Sequence, residues 1–331
     1  MKEGDLLNIK RTIMRALPGS GRKALHDLKR HLIRTGRRLV EAIGYNVARK
    51  SDCYSPLPVE SILERHEPRW NKPSAMAGIS FDVDQFKRRL SGLIQKYGEE
   101  LRALPSYAEI ATLGFGPGYT ELDALVLYMT IRETKPRRYL EVGSGVSTYY
   151  CSRAAERNSE EGHPLEIRCI EPFPYEKLSS ISGIEIVRSE VQDVAIEVFI
   201  QLEENDILFI DSSHVLTIGG DIPFLFLEVL PRMRKGVLVH VHDISFPYNI
   251  PYPAEYWVLG RHEKAPYWPM YWNEAMVLQA FLAFNSAFEI EMSAPMIRHY
   301  DEPFLASIVP HYSSVQEEPN TFSSIWIRKT A

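Results

Sequence analysis

Two short stretches of the chain end in side chains able to move protons or hold a metal. The first is Asp206-Ile-Leu-Phe-Ile-Asp-Ser-Ser-His214, the second Gly236-Val-Leu-Val-His-Val-His-Asp243. In each, an apolar run of strand length delivers polar residues at its end: Asp211 and His214 from one, His242 and Asp243 from the other. If these strands are neighbours, the four side chains converge. Two chemistries are consistent with such a cluster. In one, His214 or His242 is a general base toward a hydroxyl, suited to neutral pH by an ordinary pKa of about 6.5, and Asp211 orients it. In the other, Asp211, His242 and Asp243 bind a divalent metal that orients and acidifies the hydroxyl. A mixed His/Asp set suits Mn, Fe or Zn better than Mg. His240 is expected to point to the opposite face from His242 and to be a satisfied core histidine. Asp221, after Gly219-Gly220, reads as a helix cap.

A second constellation lies upstream. In Tyr139-Leu-Glu-Val-Gly-Ser-Gly-Val-Ser-Thr148 a strand ends in a glycine turn and a helix follows. Gly143 and Gly145 let the backbone bend and a ligand approach the main chain, with Ser144 between them. The helix start offers free N–H groups. A dinucleotide loop would have a third glycine where Thr148 stands. Glu141, two positions before the first glycine, would repel a pyrophosphate and attract an ammonium. The next strand ends at Glu171, where a carboxylate can hold ribose hydroxyls. Glu141 and Thr148 tip the choice from NAD to S-adenosylmethionine (SAM).

Positioning these groups requires alternating strands and helices. Strands are expected at 139–142, 166–170, 184–188, 207–210 and 237–241, with helices such as 147–158 and 222–230 between them. Short apolar strands separated by helices imply a doubly wound, mostly parallel α/β sheet covered on both faces. Its ligands then sit at the carboxyl ends of the strands. Helices are also expected at 81–103, 121–132 and 273–285, the last with Asn273 as its cap. Residues 289–292 and 323–328 supply closing strands.

The cofactor stretch resembles the class I SAM-dependent methyltransferases, whose first motif, E/D-x-G-x-G-x, is matched by Glu141-Val-Gly143-Ser-Gly145-Val. The resemblance implies a seven-stranded Rossmann-like sheet. It places the methionine end at Glu141 and the glycine loop, and the ribose at Glu171. It puts the adenine just after strand three, with Gln192 and Asp193 as candidates. The strand-four and strand-five ends are similar to those of metal-dependent O-methyltransferases acting on catechols and macrolide sugars. The departures are a His at 214, where the catechol group has Lys, and a His at 242 as first strand-five ligand. Further matches to bacterial methyltransferases are Gly114-Phe-Gly-Pro-Gly-Tyr119, His242-Asp-Ile-Ser-Phe-Pro247 and Trp272-Asn-Glu274.

Residues 244–272 are rich in aromatics and Pro and leave the sheet at the active edge, as expected of an aromatic lid. Arg261 and His262 within it are candidate contacts for an anionic substrate. Composition sets the outer bounds. The chain has 331 residues, a net charge of −5 and a pI near 6.1, which give no case for a nucleic-acid partner. Cys53, Cys151 and Cys169 are too few and too scattered for a disulfide framework. No apolar run reaches membrane-span length and no secretory signal is visible, so a cytoplasmic location is expected. Residues 1–50 carry thirteen Lys/Arg and four Asp/Glu, a net +9 against −14 for the remainder. Within them 22–44 reads as a basic amphipathic helix, interrupted at Gly36. It would pack on its own domain or a second subunit, making a homo-oligomer, or lie on a membrane surface.

The organisation expected is a basic helical extension (1–50), a linker and helical cap (51–118) and a SAM-binding domain (119–331) carrying the lid. The function expected is O-methylation of a hydroxyl on a sugar, glycan or other small polar acceptor, with SAM and a divalent metal (Mg, Mn, Fe or Zn) as candidate cofactors. The rivals are a non-catalytic SAM-binding subunit and an NAD-dependent oxidoreductase.

Overall fold

The computed structural model describes residues 19–45, 57–263, 265–266, 268–309, 312 and 322–331. It divides into two compact units, Met1–Leu63 and Glu64–Ala331. In the first, helix α1 spans Gly19–Ala42, and Leu28, Leu32 and Leu39 along it are exposed.

The second unit is built on seven strands: β1 (Arg138–Val142), β2 (Glu166–Ile170), β3 (Ile184–Val187), β4 (Ile207–Ile210), β5 (Leu238–His242), β6 (Phe288–Met292) and β7 (Ser324–Lys329). Their order across the sheet is β3-β2-β1-β4-β5-β7-β6, and β7 alone runs against its neighbours. This is the doubly wound, mostly parallel sheet that the alternating pattern predicts. Every residue of β4 and β5 is buried, as a strand covered on both faces must be. The order reverses between β1 and β4, which opens a crevice at their carboxyl ends.

Helix α2 (Val83–Arg102) starts at Asp82, whose Oδ1 accepts from the backbone N–H of Asp84 and Gln85. It buries Phe86, Leu90, Leu93 and Tyr97 in the same core as the sheet. Residues from 64 onward therefore belong with the sheet rather than to a separate cap. Helix α3 (Glu121–Thr134) packs along α4 (Val146–Glu160). Buried Arg132 of α3 ties the pair together through Asn158 and Glu161, and reaches Glu100 of α2 at 2.8 Å. The helix expected at 222–230 is Asp221–Pro223 and Leu230–Arg232 joined by a π-helical stretch, Phe224–Val229. Helix α5 (Glu274–Leu282) and helix α6 (Ala294–Ile308) flank β6.

Candidate active site

The glycine loop is shaped by steric necessity. Gly143 has φ +96°, and a Cβ there would come within 2.2 Å of the Asp211 carbonyl oxygen on the neighbouring strand end. A Cβ on Gly145 would lie 3.1 Å from the Phe115 carbonyl oxygen, so the Gly114–Tyr119 segment lies against the loop. Glu141 is fully buried beneath it. Its carboxylate accepts from the hydroxyls of Ser147 and of Thr148 (2.7 Å) and from the Cys169 thiol (3.4 Å). Burial pushes its pKa up to about 7 against those hydrogen bonds. The Thr148 hydroxyl also accepts from the Gly145 N–H at 3.0 Å. Thr148, at the place of a third glycine, thus braces the turn to Glu141. The sequence suggests Glu141 as a direct cofactor contact; the structure sets it one layer behind the loop, because residue 141 points into the core.

A cleft of about 400 Å³ opens at the carboxyl ends of β1, β2 and β4. Gly143, Glu171, Gln192, Asp211 and Asp221 line it. Asp193 is exposed and outside that lining, because the turn after β3 directs it to solvent. Glu171 Oε1 accepts from the Phe173 N–H at 2.8 Å, which fixes the carboxylate at the rim. Ser144 Oγ is buried with no partner among the described residues, leaving a donor and acceptor for a bound molecule. Asp221 opens its helix but does not cap it; both carboxylate oxygens accept from Ser213, at 2.7 and 2.6 Å, and hold the loop after β4.

That loop places His214 at the centre of the polar cluster. Its Nε2 lies 3.2 Å from Asp211 Oδ1 and 3.3 Å from Asp243 Oδ2, and its Nδ1 lies 2.8 Å from Glu274 Oε2. Trp272 packs against the imidazole, ring centroids 4.5 Å apart. Burial opposes a charge on His214, but Asp211, Asp243 and Glu274 outweigh it and hold the pKa well above the usual histidine range. Those three carboxylates thus favour the protonated imidazole over the free base that the sequence suggests. Both His214 (φ +60°) and Asp243 (φ +54°) adopt left-handed backbone conformations. Strain of that kind in non-glycine residues persists where the surroundings enforce it, commonly at functional sites.

Asp211, His214 and Asp243 each offer a ligand atom, all within 4.8 Å of one another. His242, the metal ligand suggested by the sequence, is not in that set. Its Nε2 faces the Gly118 carbonyl at 3.4 Å and its ring lies against Tyr119. It is the last residue of β5, while Asp243, past the strand, turns toward Asp211 and His214. His240 is fully buried and stacked on Phe209 at 4.2 Å. Its ring also lies 5.8 Å from that of His242, on the same face and not the opposite one, because residues two apart on a strand share a face. Neither ring nitrogen has a partner among the described residues. Burial holds it neutral, packed rather than hydrogen-bonded.

Several groups around the cluster carry no local sequence signal. Glu274 comes from the start of α5, sixty residues after His214. Asn273, expected as a cap, instead accepts from the Leu216 N–H at 2.7 Å and ties the His214 loop to α5. Ser323, just before β7, donates to Asp243 Oδ1 at 2.8 Å, and its own N–H donates to Asp123 of α3 at 3.0 Å. The 244–272 insertion is anchored: Pro247 accepts from the Ser74 N–H at 2.7 Å, and Arg261 pairs with Glu67 at 2.8 Å. Arg261 is thus already neutralised by a carboxylate and away from the cleft lining, against its reading as a substrate contact.

Residues 140–244, which include the glycine loop and both polar strand ends, match the family model of a methyltransferase domain. Over that segment the sequence is similar to methyltransferase domains. An uncharacterized protein of Archaeoglobus fulgidus is 32% identical over 91 residues, 26% of this chain and 40% of the relative. The match thus spans less than half of that relative's length. Solved structures of similar fold include an SAH-bound Podospora anserina methyltransferase (16% identity, 84% of this chain and 99% of that one, TM-score 0.37). Another is a SAM-bound Streptomyces achromogenes O-methyltransferase involved in tomaymycin synthesis (15%, 76% and 92%, TM-score 0.37).

Proposed function

We propose that the protein is a SAM-dependent methyltransferase that transfers the methyl group of SAM to a hydroxyl oxygen of a sugar or other small polar acceptor. One observation carries the reading: Asp211 lines the cofactor cleft and is also a member of the Asp211–His214–Asp243 cluster. A molecule held in the cleft therefore borders directly on the acid–base groups. SAM, when bound, supplies an electrophilic methyl group. The chain's own residues do the remaining work. Glu171 offers a carboxylate to ribose hydroxyls, and Gln192 lies where an adenine would. Ser144 and the N–H groups of the glycine loop face the methionine end, with Glu141 holding the loop from behind. Positioning the acceptor oxygen in line with the methyl group contributes the largest share of catalysis. Asp211 and Asp243 attract the hydroxyl proton, and His214, oriented by Glu274, balances their charge.

The same residues fit a divalent cation. Asp211, His214 Nε2 and Asp243 form a mixed N/O donor set, and Glu274 on Nδ1 is the outer carboxylate usual for a metal-bound histidine. A cation there would lower the pKa of the acceptor hydroxyl. The donor set favours Mn, Fe or Zn over Mg.

Calorimetric titration of EDTA-treated protein with S-adenosylhomocysteine (SAH) and with NADH tests the cofactor reading, repeated with Mn, Zn and Mg for the metal. Micromolar SAH binding with none for NADH is expected; the reverse would overturn the reading. Mass spectrometry of sugar alcohols and small polyols incubated with isotopically labelled SAM then tests the acceptor. A label found only on nitrogen or carbon in competing amine and carbon acids would rule out O-methylation.

A further inference from the structure

Arg298, on α6, is 8% exposed and has no carboxylate in ion-pair range among the described residues. Its Nη1 is buried without a hydrogen-bond partner among the described residues. Removing a guanidinium from water costs several kcal/mol unless its charge and N–H groups are answered. What surrounds it is aromatic. The Phe322 ring lies 4.4 Å from the guanidinium carbon and the Tyr252 ring 5.5 Å from it. Such contacts offset only part of that cost and leave the N–H groups unanswered. A planar guanidinium packed against rings keeps its in-plane N–H edge for a ligand. That edge matches the two oxygens of a carboxylate or phosphate.

Arg298 opens on a cavity of about 190 Å³, also lined by Ser245, Tyr248, Tyr252, His299 and Glu302. Tyr248 and Tyr252 stack on each other at 4.1 Å and form one wall. Burial beside Arg298 keeps His299 on the neutral side, so it adds no second positive charge. Glu302, the one acid of the lining, accepts from the Tyr312 hydroxyl at 2.7 Å rather than from Arg298. A carboxylate near the cationic edge disfavours a highly charged ligand and can accept from hydroxyls on a singly charged one. The cavity suits an acidic group with part of a sugar ring; whole drug-sized ligands occupy roughly 300 Å³ or more.

Two short links connect the cavity to the reaction centre. Ser245 follows Asp243 by two residues, and Phe322, the ring against Arg298, precedes Ser323, whose hydroxyl holds Asp243. We propose that Arg298 and the Tyr248–Tyr252 wall form the acceptor's anion subsite, so that the substrate is a hydroxylated monoanion, a sugar acid or sugar phosphate. The proposal rests on the methyltransferase reading for its link to catalysis, but anion binding itself can be measured apart from it.

The test compares full-length protein with Arg298→Met and Arg298→Lys, using glucuronate, glucose 6-phosphate, inorganic phosphate and neutral glucose as probes. SAH titration of each variant serves as the separate check on the cofactor site. Wild-type protein should bind glucuronate or glucose 6-phosphate at least about tenfold more tightly than glucose, a difference of one bidentate charged contact. Arg298→Met should lose that preference and keep SAH affinity within about twofold, since its contacts are on the other flank. Its melting temperature without ligand should equal or exceed wild type, because an unanswered buried charge is gone. Arg298→Lys should keep a weaker preference, as a point charge does. Which probe wins distinguishes carboxylate from phosphate, and inorganic phosphate alone shows whether the sugar is needed. Equal binding of glucose and both acids by wild-type protein would overturn the proposal. So would an acid preference that survives in Arg298→Met, or a fall in its melting temperature of more than about 5 °C. Loss of SAH binding in wild-type protein would instead remove the methyltransferase reading and leave the anion result standing.

Discussion

The two halves of the proposed site, one for the cofactor and one for the acceptor, are built on different principles. The cofactor half is local: Glu141, Gly143, Gly145 and Thr148 lie within eight residues, and the backbone itself forms much of the surface. The acceptor half is assembled from a distance. His214 is held by Glu274, Asp243 by Ser323, and Ser323 by Asp123, pairs separated by 60, 80 and 200 residues. A backbone-built site tolerates little change in shape. A side-chain-built site can be altered one contact at a time while the fold persists. If that contrast is correct, variants of the two halves should fail in different ways.

The largest effect is expected at Gly143. Gly143→Ala puts a Cβ against the Asp211 carbonyl, and SAH affinity should fall about 100-fold or more, equivalent to roughly 3 kcal/mol. Calorimetry that found near-normal SAH binding would break the distinction, since the loop would then have room to adapt. Glu274→Ala should act through the other half. Removing the carboxylate that orients His214 should cost about 10- to 100-fold in Mn affinity or methyl transfer, with SAH affinity nearly unchanged. Glu274→Gln, which keeps an acceptor oxygen, should lose less. Parallel loss of SAH binding in Glu274→Ala would mean that the halves are not separable.

Glu141 sharpens the comparison through pH. Its folded-state pKa, raised from 4.5 to about 7 by burial, means that the fold favours the protonated acid. That contribution is fully present below about pH 4.5 and is lost as pH rises through 7. Glu141→Gln mimics the neutral form, so above pH 7 it should be the more stable protein by on the order of 2–3 kcal/mol. The difference should vanish near pH 4.5. Melting curves with the same pH slope in both proteins would show that Glu141 is already compensated. The smallest effect is expected at Arg261, whose partners Glu67 and Glu64 are partly exposed. Arg261→Ala should change stability by less than about 1 kcal/mol and leave acceptor KM unchanged. A large KM increase would restore it as a substrate contact.

The same contrast explains what the sequence could reveal. Strands β1 to β5 and the glycine loop follow from apolar runs ended by turns, so their limits agree with expectation to within a residue or two. Asp211, His214 and Asp243 were visible because strand ends in a parallel sheet share one edge. The choice between His214 and His242 was not, since it depends on a left-handed turn that only the packed structure reveals. Glu274 stood in a recognisable Trp-Asn-Glu helix start, but nothing local joined it to His214. Arg298 had no signal at all: an arginine in an ordinary helix becomes notable only when its surroundings prove to be rings. Asp193 and Arg261 show the reverse, polar residues at plausible positions that the fold turns outward or pairs elsewhere.

The insertion of β7 between β5 and β6 has a consequence for the order in which the protein matures. Ser323 and Ser324, which fasten Asp243 and Asp123, are synthesised some eighty residues after the strand they complete. During translation the glycine loop and the strands around it can pack as soon as β4 has emerged. The acceptor half waits for the final strand to thread between two others already made, a long-range closure of the kind that folds slowly. A nascent chain can thus have a formed cofactor cleft before it has the means to use it.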